Sequence, residues 1–392
     1  MEAHLLQHEL SAEALLEVEY VPAVVPPKQQ HTAPHDDWVS TVDGSWGGQV
    51  VSGSYDGCIR VWEVSGAEAS CSATWRAHAG GVNAVACVPA AATASTSGRV
   101  VVSAGKDAAV HMWQVGTNGS SQLLASFPGH TDAVQAVAVS PGGEHMVSCG
   151  WDGSLKVWRG PGEVVAAAVE AGATTAGAAS GASKRRKAGK DGAADAVAVA
   201  SGPALVQEEA RTQLQGHLHT VSCAAFATPG VLFSGGWDHS VRRWDIATGI
   251  ATDTYNGSKV VCSVACPVSS SGKGAGPGAP GSLVAFGCSD RVLRVWDARA
   301  RQGEALSVKP LTGHAGWVVG LAWSPSSMHH VASASHDGAI KLWDIRAAVP
   351  LATLPGHDDK ALCVTWAGDA WRTLVSGGAD SKLRTYALET AL

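Results

Sequence analysis

The sequence is short of the features that would mark a secreted, membrane-spanning or nucleic-acid-gripping protein. Its nine cysteines include no Cys-x-x-Cys pair, and an odd, dispersed set reads as reduced intracellular thiols, not as a disulfide framework or zinc site. No unbroken run of 18 apolar residues occurs, which leaves no candidate membrane span. Met1 to Leu16 carries acidic residues where a signal peptide would need a basic start followed by an apolar run. Charged residues make up only 16% and the formal net charge is −6, so the chain lacks the global basic stripe of a domain that holds nucleic acid through its phosphates. Phenylalanine and tyrosine are scarce, four of each, yet there are 15 tryptophans. The architecture calls for tryptophan repeatedly.

It does so in a repeat. Seven segments end in one figure, among them VVSGSYDGCIRVWEV, MVSCGWDGSLKVWRG and VASASHDGAIKLWDIR. In each, an Asp is followed six residues later by an aromatic: Asp56/Trp62, Asp107/Trp113, Asp152/Trp158, Asp238/Trp244, Asp290/Trp296, Asp337/Trp343 and Asp380/Tyr386. A His stands upstream of six of them, at His35, His78, His130, His217, His314 and His357. Near-alternating apolar stretches such as DAVQAVAVS follow most of these histidines, so each unit supplies about four short strands.

Six units also place a Ser four residues before the Asp: Ser52, Ser103, Ser148, Ser234, Ser333 and Ser376. A Ser–His–Asp set invites a catalytic reading, but an active site occurs once and this set occurs six times. The structural reading makes it a buried hydrogen-bonded network that ties a loop to two strands. The fifth unit has Gly257-Ser258 where its neighbours have Gly-His and Phe286 where they have Ser. Losing both partners together is what a coupled network requires, because losing one strands the other at a cost of about 1–3 kcal/mol. Asp290 and Trp296 of this unit are still counted among the network residues. The unit also carries the insert SSSGKGAGPGAPGS, and it is expected to be the most loosely held.

These units resemble the WD-repeat family, whose hallmark is Gly-His early and Trp-Asp late in units of about 40–45 residues. The resemblance covers about residues 35 to 388 and implies an all-β, seven-bladed propeller, which protects its sheet edges by radial repetition. The expected propeller is 28–392, preceded by an N-terminal segment 1–27. A propeller usually closes by borrowing a strand from the other terminus. The alternatives are Leu15 to Val21, which alternates well, and residues 28–33, preferred for their distance from His35. Between Trp158 and Leu214 an Ala-, Gly- and Ser-rich insert, 160–212, is too poor in large side chains to fold and is expected to connect blades three and four as a disordered loop. It contains Lys184, Arg185, Arg186, Lys187 and Lys190, a candidate nuclear localisation signal with solvation and RNA contact as alternatives.

A narrower resemblance lies in EALLEVEYV, PHDDWVSTVDG, GHAGWVVGLAWSP, GHDDKALCVTWAGDAW and SGGADSKLRTY. These are similar to the WD-repeat subunit of the Pescadillo–Bop complex. The resemblance implies a nuclear and nucleolar scaffold, needed for maturation of large-subunit rRNAs and assembly of the large (60S) subunit, with Pescadillo and Bop homologues and pre-60S particles as partners. That family carries an N-terminal ubiquitin-like domain engaged by a midasin-type AAA ATPase. LLEVEYV looks like that domain's last strand with the rest absent, so the midasin contact is not carried over.

Blade loops that bear His and Asp share one rim, where exposed aromatics would anchor partners. The candidate interface is Trp38, Trp317 and Lys360 in one sector, Tyr55, and Trp151 with Trp237 on adjacent blades. The alternative is that these tryptophans pack only between blades. No catalytic residue, cofactor, metal ligand, small-molecule substrate or membrane contact is indicated. A ubiquitin-ligase substrate receptor or chromatin adaptor is the competing function, since one fold serves many.

Overall fold

The computed structural model describes residues 23–24, 35–66, 68–93, 98–168, 206–267, 281–299, 308–347, 349–368 and 371–389. They form seven sheets, antiparallel but for one added strand, whose inner strands pack side by side in a closed ring, the seventh against the first. This is the seven-bladed propeller expected; the described residues lie mostly in strands and their turns, with one α-helix among them at 161–168. From centre to edge, blade 1 is Val39–Asp43, Gln49–Ser54, Cys58–Ser65 and Glu68–Arg76. The other blades repeat that order.

Each inner strand opens with a buried aliphatic residue: Val39, Val82, Val134, Val221, Val261, Val318 and Ala361. The next blade's residue drives into the second strand of the blade before it, where side chains must be small. A Cβ on Gly53 would lie 2.6 Å from Val82, and one on Gly377 would lie 2.5 Å from Val39, so the seventh blade meets the first by the same close approach as the first meets the second. Polar hooks reinforce the joints. Asn83 Nδ2 donates to the Val134 carbonyl (2.9 Å) and Ser222 Oγ to that of Val261 (2.6 Å), each in the following blade.

The closing strand lies at neither expected place. Ala23–Val24 pairs antiparallel with the last strand, Ala23 opposite Glu389 and Val24 opposite Leu388. Residues 15–21 and 28–33 lie outside the described residues. The expected boundary at 27/28 therefore falls too late, because two residues of segment 1–27 are part of blade 7.

The insert is also differently placed. Blade 3 is Val134–Val139, His145–Gly150, Leu155–Arg159 and Thr212–Leu214, so the insert lies inside blade 3, before its outer strand, and not between blades 3 and 4. Its ends are ordered. Pro161 opens the helix 161–168, a position that tolerates its missing amide, and Val164 and Val165 are fully buried in a core shared by blades 2 and 3. Val206–Gln207 adds a fifth, parallel strand to blade 2. The basic run at 184–190 lies outside the described residues.

Candidate functional site

The rim is built on one turn used seven times. The residue after each Asp is left-handed, with φ of +82° at Gly57, +71° at Gly153 and +79° at Gly338. Ala108, His239, Arg291 and Ser381 adopt the same conformation at φ of 60°, 66°, 70° and 61°, which is strained for residues with a Cβ. Each Asp pins the turn by accepting the amide two residues on, from Cys58 N to Asp56 Oδ1 at 2.7 Å through Val292 N to Asp290 Oδ1 at 3.4 Å. The residue before each Asp donates its amide across to the start of the inner strand, as in Tyr55 to the Trp38 carbonyl and His336 to that of Trp317.

Onto this turn the tetrads are assembled. In blade 4, Trp244 Nε1 donates to Ser234 Oγ (2.8 Å), Ser234 Oγ meets His217 Nε2 (2.7 Å), and His217 Nδ1 meets Asp238 Oδ2 (2.9 Å). The same chain joins Trp62, Ser52, His35 and Asp56; Trp113, Ser103, His78 and Asp107; Trp158, Ser148, His130 and Asp152; and Trp343, Ser333, His314 and Asp337. In blade 7, His357 reaches Ser376 and Asp380 at 2.8 and 2.7 Å, but the Tyr386 hydroxyl stands 3.5 Å from Ser376 Oγ. Every Asp of these six also accepts the amide of the residue after the His, such as Ala315 N at 2.7 Å.

Donor chemistry fixes the direction of each chain. An indole N–H can only donate and a carboxylate can only accept, so Trp donates to Ser and His donates from Nδ1 to Asp, while the Ser hydroxyl donates to Nε2 when the imidazole is neutral. In His35, His78 and His314 burial favours that neutral form, with its hydrogen on Nδ1. Burial pushes the pKa values of His35, His78 and His314 below the ordinary histidine value, overcoming the attached aspartates. For Asp56, burial alone would raise the pKa, but the Cys58 amide and His35 together hold it below the usual range. All six serines are 0% exposed. A hydroxyl sealed on both sides, with its proton committed to His, cannot meet a substrate, so the repeated Ser–His–Asp sets are ties.

Blade 5 is tied differently. The inner-strand start accepts the Ser289 amide through Val260, and Gly257 takes the backbone bond that His78 and His357 make in their blades. Gly257, not Ser258, therefore stands in the His position, one residue earlier than the Gly-His alignment suggested. Asp290 and Trp296, contrary to the expectation that they are network residues, belong to no tetrad. Phe286 offers the Trp296 indole no hydroxyl, so Trp296 serves as a core aromatic. It is buried and packs edge-on against Phe233 of blade 4 and tilted against Tyr255, each at 6.0 Å between ring centroids. Phe286 is itself fully buried against Tyr255, with ring centroids 5.2 Å apart, and Asp290 is held by a two-pronged Arg294 fork at 2.9 and 2.6 Å. The missing imidazole leaves a cleft of about 30 Å³ beside Tyr255 and Arg294. The blade expected to be loosest thus has an apolar plug and an ion pair in place of the tetrad. The residues of its insert at 268–280 lie outside the described residues.

One regularity was overlooked in the sequence. Four residues after each Asp stands a cation or a His: Arg60, His111, Lys156, Arg242, Arg294, Lys341 and Arg384. The signal was present at fixed spacing but hidden by the variety of side chains. Several of these groups serve the rim: Arg294 and Arg384 bond their own blade's Asp, and His111 stacks on His78 at 5.0 Å.

The rim surface carries the expected aromatics in two groups. Trp38 is 38% exposed and Trp317 47%. Trp38 stacks on Tyr55 (6.0 Å), Lys106 Nζ lies over Tyr55 (3.5 Å), and Lys360 Nζ over Trp38 (5.6 Å). Trp317 stacks on His336 at 5.8 Å. In the second group Trp151 and Trp237, 52% and 49% exposed, meet across blades 3 and 4 at 6.0 Å. Trp151 Nε1 also donates to Gln135 Oε1 at 3.1 Å. Among the described residues no cluster of potential metal ligands is found, and no helix is long and apolar enough to cross a membrane.

The model of the WD domain, G-beta repeat, matches residues 27–63, 69–114, 121–159, 208–245, 306–344 and 348–386. Between the matches ending at 245 and starting at 306 lie the three inner strands of the tetrad-less fifth blade. The chain is 48% identical to a ribosome biogenesis protein WDR12 homolog of Chlamydomonas reinhardtii, over 98% of this chain and 84% of that protein. Proteins of the same name from Oryza sativa subsp. japonica and Arabidopsis thaliana are 36% and 34% identical, each over 98% of this chain and 81% of their own length.

Proposed function

Because this chain belongs to the WD-repeat family, and within it to the ribosome biogenesis proteins homologous to WDR12, we propose that it is a non-enzymatic scaffold in assembly of the large (60S) ribosomal subunit. Its role in ribosome biogenesis follows from relatives of that name matched over nearly its whole length, and this favours it over a ubiquitin-ligase receptor or chromatin adaptor. The finer reading is that it joins Pescadillo and Bop homologues on pre-60S particles in the nucleolus and nucleoplasm, and that the large-subunit rRNAs mature only when it is present.

The observation that carries the scaffold reading is the contrast between the two sides of the rim. Beneath, the serine and histidine side chains of all six Ser–His–Asp sets are sealed from solvent and committed to structure, with only the aspartates reaching the surface. Above, Trp38, Trp151, Trp237 and Trp317 stand well exposed, with lysines over the faces of Trp38 and its neighbour Tyr55. Rigid aromatic anchors surrounded by polar groups are the usual hot spots of protein interfaces. Trp38, Tyr55, Lys360 and Trp317 form the first docking sector in this reading, and Trp151 with Trp237 the second.

Depletion of the protein followed by pulse-labelling of rRNA tests the reading. Large-subunit precursors should accumulate while small-subunit rRNA is made at its usual rate. Normal maturation of both, with the protein gone, would refute the assignment.

A further inference from the structure

The two ends of the blade 3 insert come together on one wall of the disc, and independent contacts join them. The helix 161–168 leaves blade 3 directly after Arg159 and lies beneath blades 2 and 3. A Cβ on Gly162 would be 2.6 Å from the Ala92 carbonyl of blade 2, and one on Gly160 would be 2.4 Å from the Glu144 carbonyl of blade 3. Val164 and Val165 are buried in the same cluster as Phe127 and Met112 of blade 2 and Trp158 of blade 3. The returning chain lies on blade 2 first: Val206–Gln207 runs parallel to Ser121–Ser126, and the Glu208 amide donates to the Ser126 carbonyl at 3.2 Å. It then crosses to blade 3, where the Arg211 amide donates to Val157 before Thr212–Leu214 completes the sheet.

Four charges connect the two arms. Arg211 Nη2 meets Glu163 Oε2 at 2.7 Å, Arg159 Nε approaches the same oxygen at 3.7 Å, and Arg159 Nη1 meets Glu208 Oε1 at 3.3 Å. Glu163 belongs to the outgoing arm, Glu208 and Arg211 to the returning one, and Arg159 to the end of the blade strand between them. Among the described residues, no other pair of neighbouring blades is joined at its outer edges by a strand, a helix and an ion cluster together.

We propose that helix 161–168 and residues 206–211 form a single staple that locks the outer edge of blade 2 to blade 3, so that loosening either arm loosens the other. The insert's two ends are thereby a built part of the fold. This inference stands apart from the functional reading and survives or fails without it.

Amide hydrogen exchange on the full chain tests it. Glu208→Pro removes the amide that bonds Ser126 and the carboxylate that meets Arg159, at a position outside every blade's own ladder. Exchange should quicken about tenfold at 121–126 and also across 161–168, with blades 5 and 6 unchanged. The reciprocal variant, Val165→Ala, should quicken exchange at 206–211 by a similar factor. A helix that keeps its protection in Glu208→Pro, or a returning arm that keeps its own in Val165→Ala, would overturn the staple and leave two independent attachments.

Discussion

A single residue of the rim serves several masters, and this explains which positions tolerate change. Asp290 has lost its His and Ser partners, yet it remains because it still accepts the Val292 amide in its turn. Trp296 has lost the serine that would accept its N–H, yet its ring still fills the core between blades 4 and 5. His111 shows the opposite case, a cation position filled by a ring that is best neutral. It stacks on His78, its Nδ1 has no hydrogen-bond partner, and burial, helped by His78, pushes its pKa down to about 4. The ordinary value is near 6.5. Between those pH values the unfolded chain binds a proton that the folded chain refuses, so stability is full above about pH 6.5 and falls as the pH drops toward 4. His35, His78 and His314, also lowered by burial, act in the same direction. Below about pH 4 the depressed aspartates Asp56, Asp107 and Asp337 extend the loss. The urea midpoint should therefore be clearly lower at pH 5 than at pH 7.5, and equal midpoints would contradict the neutral-imidazole assignment.

At the scale of the element, the tetrad ties a turn, a loop and two strands together, and its hydroxyl is the hub. Ser234→Ala leaves the Trp244 N–H and His217 Nε2 buried without a shared partner, which costs about 1–3 kcal/mol. Ser258→Ala, at an exposed position in the tetrad-less blade, should stay within about 0.5 kcal/mol of the parent. Urea unfolding of the two variants decides the matter, and equal losses would deny the hub its role. Sequence spacing reveals such elements when they repeat. Seven Asp-to-aromatic pairs specify seven third strands, and six histidines specify the loops above them. Spacing also held the insert's true place: Thr212–Leu214 precedes Gly216-His217 as Ala352 to Leu354 precedes Gly356-His357. The composition of 160–212 masked this, because alanine and glycine give no periodicity, and the valines that bury the helix are only two. The closing strand was invisible for another reason. Ala23–Val24 lies between Pro22 and Pro26 and pairs over two residues only, so its position is set by the edge it completes and not by its own pattern.

At the scale of the molecule, the propeller divides into a frame that the repeats dictate and a surface that they do not. The ring is closed by small residues under buried valines and by hooks such as Asn83 and Ser222, each spent on a contact with the neighbouring blade. The surface offers its exposed aromatics on the rim: Trp38, Tyr55, Lys360 and Trp317 on one side, Trp151 and Trp237 on the other. Those positions were legible as offsets from His and Asp. Their exposure was not, because whether a tryptophan faces a neighbouring blade or solvent depends on packing that no spacing records.

That this surface serves assembly of the large ribosomal subunit is tested by affinity purification of the tagged full-length chain from nuclear extract, with mass spectrometry and probing for precursor rRNA. Pescadillo and Bop homologues should be recovered together with large-subunit precursors. Recovery of a ubiquitin-ligase adaptor or a histone-modifying complex, with no pre-ribosomal component, would contradict the claim.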